Sequence, residues 1–217
     1  MKTKNFLATL LVIITLIGAG CSNTKDNKNV TENKNLQTAS NKGKSYRLVS
    51  AESKMEWLGK KVTGQHNGTV NISKGELFAD GGKLTGGNFD IDFTTITVLN
   101  MEDEEMRNKL TGHLKSDDFF SAGTFPFGRF EITSATPLTG AAGNYTIGGK
   151  LTIKGITKDI SFPAKVNIAD DKITASADFN IDRTLWDIKF RSGKFYENLG
   201  DNLISDDLNI KFNISAN

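Results

Sequence analysis

The chain has 217 residues, with 27 basic and 25 acidic side chains, three Pro and one Cys. A single Cys excludes an internal disulfide, so stability rests on packing and hydrogen bonding. From residue 46 onward 20 basic residues face 23 acidic ones, a net −3, which argues against nucleic acid as a partner, since phosphate contacts need a basic surface.

Residues 1–20 have the layout of a secretory signal: Lys2 and Lys4, an apolar run from Phe6 to Ile17, then Gly18, Ala19 and Gly20 leading into Cys21. The run is shorter than the roughly 20 apolar residues of a membrane-spanning helix. The lone Cys at the cleavage point resembles the lipobox of bacterial lipoproteins, in which this Cys is lipidated; Gly18 stands where such motifs usually carry Leu. The expectation is an exported, membrane-anchored lipoprotein of the bacterial envelope, facing the periplasm or on the outer membrane. Residues 22–45 are Asn-, Lys-, Thr- and Ser-rich, with Val30 and Leu36 as the large apolar exceptions. Such a segment buries too little apolar surface to offset its ordering entropy. Residues 21–45 therefore read as a lipidated Cys plus a disordered tether to one domain, 46–217.

Within that domain the dominant pattern is period two, the mark of half-buried strands. Strands are expected around 53–62, 68–78 and 83–93. Tyr145, Ile147, Gly149, Leu151 and Ile153 share one face; so do Ile160, Phe162, Ala164, Val166 and Ile168. The same holds for Ile173, Ala175, Ala177, Phe179 and Ile181, and for Leu208, Ile210, Phe212 and Ile214. Alternation with polar residues marks antiparallel strands, whereas parallel strands read as continuous apolar runs. Turns are expected at Gly81-Gly82, Gly140, Gly155 and Asp170-Asp171, and in GQHNG at 64–68. The fold class is all-β, an antiparallel barrel of about eight strands. Small residues on the apolar faces, such as Ala164 and Ala177, leave an interior that is either a cavity or filled by large residues opposite.

One helix interrupts the strands near 102–114. Asn100 or Asp103 caps it, acids fill its first turn, and Met106, Leu110, His113 and Leu114 fall on one stripe. After it comes HLKSDDFFSAGTFPFGRFEI at 113–132. Here Phe119 and Phe120 press the helix onto the barrel, Asp117 and Asp118 stay in water, and Pro126 sits at a strand start. Phe127 and Phe130 are three apart, so Gly128 reads as a bulge. The Phe cluster is expected at the mouth of the interior.

The ordered set GQHNG, GGNFDIDFTTI, HLKSDDFF, FPFGRFEI, GGKLTIKGITKDISFP and FNIDRTLWDI, over residues 46–217, resembles the YceI-like family of bacterial lipid-binding proteins. The resemblance implies a lipocalin-like barrel whose elongated lumen holds a long-chain amphiphile, a polyisoprenoid or an isoprenoid quinone. It implies no catalysis and no cofactor other than such a bound lipid, and it admits a homodimer. The lumen candidates are Trp57, Phe89, Ile91, Phe93, Phe120, Phe125, Phe127, Phe130, Ile147, Leu151, Phe162, Ala164, Ala177, Phe179, Trp186, Ile210 and Phe212. His66 and Arg183 are candidate contacts for a ligand head, and Cys21 is the lipidation site. The chain lacks a nucleophile elbow, a phosphate loop and an HExxH motif. No metal site is expected from the acids around His113. The competing reading is a solidly packed barrel serving as an envelope scaffold or interaction module.

Overall fold

A computed structural model describes residues 38–138 and 144–217. Nine strands and one helix run in the order β1 (Lys44–Arg47), β2 (Lys54–Lys61), β3 (Gly64–Asp80), β4 (Lys83–Val98), α1 (Glu104–Lys115), β5 (Phe127–Pro137), β6 (Tyr145–Ile153), β7 (Ile156–Ile168), β8 (Ile173–Asp182) and β9 (Ile204–Ala216). Every strand pairing is antiparallel. The order β3-β2-β9-β8-β7-β6-β5-β4, with β4 returning to β3, closes eight strands into a barrel, and β1 adds to β3 beyond β2.

Local chemistry explains the hairpins. Asp80 pairs with Lys83 across Gly81-Gly82, both at positive φ, and Ile153 pairs with Ile156 across Lys154-Gly155, also both at positive φ. These are the two-residue turns whose twist matches that of the strands. β3 and β4 are much the longest strands, and three register shifts between them bend the hairpin around the core. β3 begins at Gly64, so GQHNG is strand and the turn before it is Val62-Thr63. Gly68 cannot be another residue without local movement. A Cβ there would lie 1.7 Å from the Thr97 carbonyl oxygen and 2.8 Å from the Trp57 ring.

The helix agrees closely with its expected position. Asp103 caps it by accepting from the Met106 amide at 3.0 Å; the helix packs on β4, and its Leu114 is buried. Met106, expected on the apolar stripe, is instead 49% exposed. The strand starts at the α1 end of the barrel and the long segment 183–203 lie together, opposite the β3–β4 and β7–β8 turns.

The segment expected as tether is in part sheet. Thr38 bridges Ser134, the Ala39 amide donates to Thr133 O (2.7 Å), and the Ser40 amide donates to Thr85 O (2.9 Å). Lys44–Arg47 then forms β1 on β3. This arm crosses from β5 over β4 to β3, where β4 and β5 themselves pair only from Asn88 to Asp92. Gly86 leaves room for it: a Cβ there would sit 2.0 Å from the Asn41 side-chain oxygen.

Candidate functional site: an apolar lumen

The inward faces of the strands meet in a lumen along the barrel axis. Its cavity volume is about 100 Å³. Every residue that lines it is apolar. Trp57 brings the lining's one N–H donor and turns it onto Thr97 O (3.2 Å), so the ring's hydrocarbon edge is what the lumen sees. A surface of this kind offers a ligand tail burial without a competing polar group.

Most expected lumen residues converge here. Trp57, Phe89, Ile91, Phe93, Phe120, Phe130, Ile147, Leu151, Phe162, Ala164, Phe179, Ile210 and Phe212 all line it. The rings are arranged as aromatic pairs: Phe93 against Phe120 at 4.7 Å, Phe162 against Phe130 at 5.6 Å, and Phe162 stacked on Phe179 at 4.0 Å. Sequence reasoning passed over Leu77, Leu84, Ile96, Ile132, Ile160 and Ile181, which also line it. Their period-two spacing was the available signal.

Four expected lumen residues lie elsewhere. Phe125 and Phe127 are exposed, at 37% and 54%. β5 runs in regular register from Phe127, with Gly128, Phe130 and Ile132 inward, so there is no bulge at Gly128 and Phe127 faces out. Gly128 is inward because the Phe93 ring occupies its side-chain space; a Cβ would lie 2.7 Å from that ring. Phe125 instead covers the Gly155 turn. Trp186 is fully buried in a 3-10 turn outside the lining, its indole N–H donating to Leu151 O at 3.0 Å. Ala177 is buried, opposite Phe212, but does not reach the free space.

The two candidate head-group contacts separate. Arg183 is buried and spends its guanidinium on carbonyls: Nε to Ser205 O (2.9 Å), Nη1 to Ile188 O (2.6 Å) and Nη2 to Ile204 O (3.2 Å). Asp206 lies 3.6 Å away. Burial draws the Arg183 pKa below its ordinary value, against the opposing pull of Asp206 and Asp182. Arg183 is thus a structural staple that folds 183–205 back on itself. Beside it, burial disfavours the Asp182 carboxylate, but bonds from Lys194 and Thr184 outweigh this and hold its pKa below the usual aspartate range. His66 is half-buried on the inward parity of β3, opposite Gly59. Its Nδ1 is buried without a hydrogen-bond partner among the described residues.

At the helix end, His113 Nε2 meets Asp118 Oδ2 at 2.8 Å and stands edge-on to Phe119 and Phe190. Phe119 therefore packs beneath the helix while its neighbour Phe120 enters the lumen. Asp117 and Asp118 are exposed, as expected. Among the described residues no three His, Cys, Asp or Glu side chains gather as a metal centre would need.

A closed up-and-down antiparallel barrel around an apolar lumen is a lipocalin-like architecture. The chain belongs to the YceI-like domain family, which it matches over residues 46–216. It is similar to BcnA of Burkholderia cenocepacia, at 23% identity and a TM-score of 0.62, covering 78% of this chain and 99% of that one. A polyisoprenoid binding domain from Saccharophagus degradans, implicated in plant cell wall breakdown, is similar at 13% identity and a TM-score of 0.55, covering 79% and 97%. The YceI protein of Campylobacter jejuni is similar at 22% identity and a TM-score of 0.50, covering 68% and 83%. Among curated proteins, a UPF0312 protein of Shewanella denitrificans is 31% identical over 97 residues, 45% of this chain and 47% of that relative's length.

Proposed function

We propose that this protein binds one long-chain amphiphilic lipid, of the polyisoprenoid or isoprenoid-quinone type, in the barrel lumen and stores or transfers it at the cell envelope without catalysis. The observation that carries the reading is the wholly apolar lining of a lumen that retains free space. A chain inserted there gains about 0.8 kcal/mol for each methylene withdrawn from water. That gain must exceed the cost of association, on the order of 4–15 kcal/mol, so a tail of many carbons is required. The polyisoprenoid class is supported by family membership and by the similar Saccharophagus domain. Export, lipidation at Cys21 and a tether ahead of Thr38 would hold the barrel beside the membrane from which the lipid is drawn.

The test is direct. The full chain is purified from a bacterial host and extracted with organic solvent, and the extract is analysed by mass spectrometry. One long-chain lipid per protein is the expected result. Its repeated absence, with no uptake of added prenols or quinones, would leave the solid scaffold as the better reading.

A further inference from the structure

The barrel wall is not equally sealed along its length. Nine residue pairs join β6 to β7 and ten join β8 to β9, but only four join β7 to β8, from Lys165↔Ser176 to Ile168↔Ile173. Towards the helix end both strands continue without each other: β7 from Ile156 and β8 to Asp182. Pro163 explains where the ladder stops. The Asn144 amide donates to Ala164 O (3.0 Å), and the Asn144 side chain brackets Val166 N (2.7 Å) and O (2.6 Å). Even-numbered backbone groups of β7 therefore point to β6 and odd-numbered ones to β8. Pro163 has no N–H to offer β8, and it stands immediately beyond the last pair, Lys165↔Ser176.

The unpaired stretch lies over the lumen. Ile160, Phe162, Phe179 and Ile181 line the lumen on its two sides. Partly exposed lining residues, Ile160, Phe179, Ile210 and Phe212 among them, concentrate on β7, β8 and β9. Phe162 and Phe179 close the upper end of the seam by stacking rather than by backbone bonds. A stacked pair opens by side-chain rotation, whereas a ladder must break hydrogen bonds. One further residue marks the seam. Lys158 lies on the inward parity of β7, opposite Leu151 of the lining. It has no hydrogen bond or ion pair from its side chain among the described residues.

We infer that the seam between residues 156–162 of β7 and 179–182 of β8 is a lateral portal for the lipid tail, and that Lys158 at its rim receives an anionic head, a carboxylate or a phosphate. The tail passes sideways between Phe162 and Phe179 into the lumen, and the head stays at the wall. The inference rests on the lumen-binding reading above.

Bridging the seam tests it. Extending the β7–β8 register places Ser161 opposite Asn180, both exposed. In the full chain carrying Cys21→Ser, Ser161→Cys and Asn180→Cys are joined by a reducible bis-maleimide. Glu131→Cys with Lys150→Cys, paired across the intact β5–β6 ladder, is the control. Stopped-flow uptake of cis-parinarate, a fluorescent long-chain fatty acid, is expected to slow at least about tenfold when the seam is bridged. It should recover on reduction, and the control bridge should not change it. Normal uptake through a bridged seam would overturn the portal alone. No uptake of cis-parinarate, prenols or quinones by the unbridged protein would overturn the lumen reading and the portal with it. For the rim, Lys158→Gln should weaken displacement by oleate about fivefold and leave oleyl alcohol unchanged. Equal effects on both would remove Lys158 from the site.

Discussion

Ala164→Trp separates a lumen that holds a ligand from one that is merely a packed core. Ala164 is buried and lines the free space, opposite Tyr145 on β6. The cavity volume is about 100 Å³, whereas about 10–15 Å³ is enough for one water. An indole at Ala164 is expected to take up part of this space. It would occupy the place of several methylenes of a bound tail. If three or four are lost at about 0.8 kcal/mol each, binding weakens by on the order of 3 kcal/mol, about a hundredfold in Kd. Stability should stay within about 1 kcal/mol of the parent, because the indole fills space and creates none. Ala177→Trp is the counterpart. Ala177 faces inward but does not reach the free space, so the same side chain overpacks the wall and costs about 1–3 kcal/mol. Urea unfolding gives the stabilities, and titration with a fluorescent long-chain probe gives the affinities. A large loss of stability in Ala164→Trp, with lipid retention intact, would refute the reasoning: the interior would then be solid at that point.

Other outcomes follow from the same structure. Arg183→Met removes the donor to three carbonyls and leaves Asp206 with Lys194 as its remaining cation; a loss of about 3 kcal/mol is expected in urea unfolding. Trp186→Phe deletes the bond to Leu151 O in a fully buried site and should cost about 1–3 kcal/mol by the same measurement. Gly86→Ala forces its new methyl onto Asn41; trypsin should then cleave at Lys42 markedly faster while lipid binding is kept. The Asp182 carboxylate, held below the ordinary aspartate range, contributes stability that is full above its unfolded pKa of about 3.9 and is lost as pH falls through its lower folded value. Hydrogen exchange in 183–205 should therefore rise below about pH 3.9 before the strands of the far end loosen.

Much of this architecture is written in the period-two faces. β6 was legible almost to the residue from its alternating face, whereas β9 was legible only over 208–214, because the alternation breaks at Asp206 and its first four residues carry no clear pattern. The helix was legible from its acidic first turn and its Asp cap. The failures share a cause: glycine carries no mark of which face it occupies. Gly128 is inward with a neighbour's ring in its place, so Phe127 and Phe130 suggested a bulge although β5 pairs with β4 in unbroken register there, its one register shift lying later, against β6 at Ile132/Ser134. Gly68 likewise hides that GQHNG is the start of β3 beneath Trp57. Arg183 and Trp186 were expected at a ligand, but their polar groups go to carbonyls, Ile188, Ile204 and Ser205 for Arg183 and Leu151 for Trp186, most of them too distant in sequence for a local pattern to reveal. The seam itself had a signal in Pro163, which in a barrel strand marks an edge.

The arm that crosses from β5 over β4 to β3 has a mechanical meaning. Any pull arriving from the chain before Thr38 meets the bridge to Ser134 and the Ala39 and Ser40 amide bonds first, and the four pairs of β1 after them. None of these bonds belongs to the eight-strand ring. Load is thus taken by a detachable strap, which peels bond by bond before the ring feels tension. Peeling it also uncovers the stretch where β4 and β5 lack each other. A pull on this arm can thus be borne with the ring and its lumen intact.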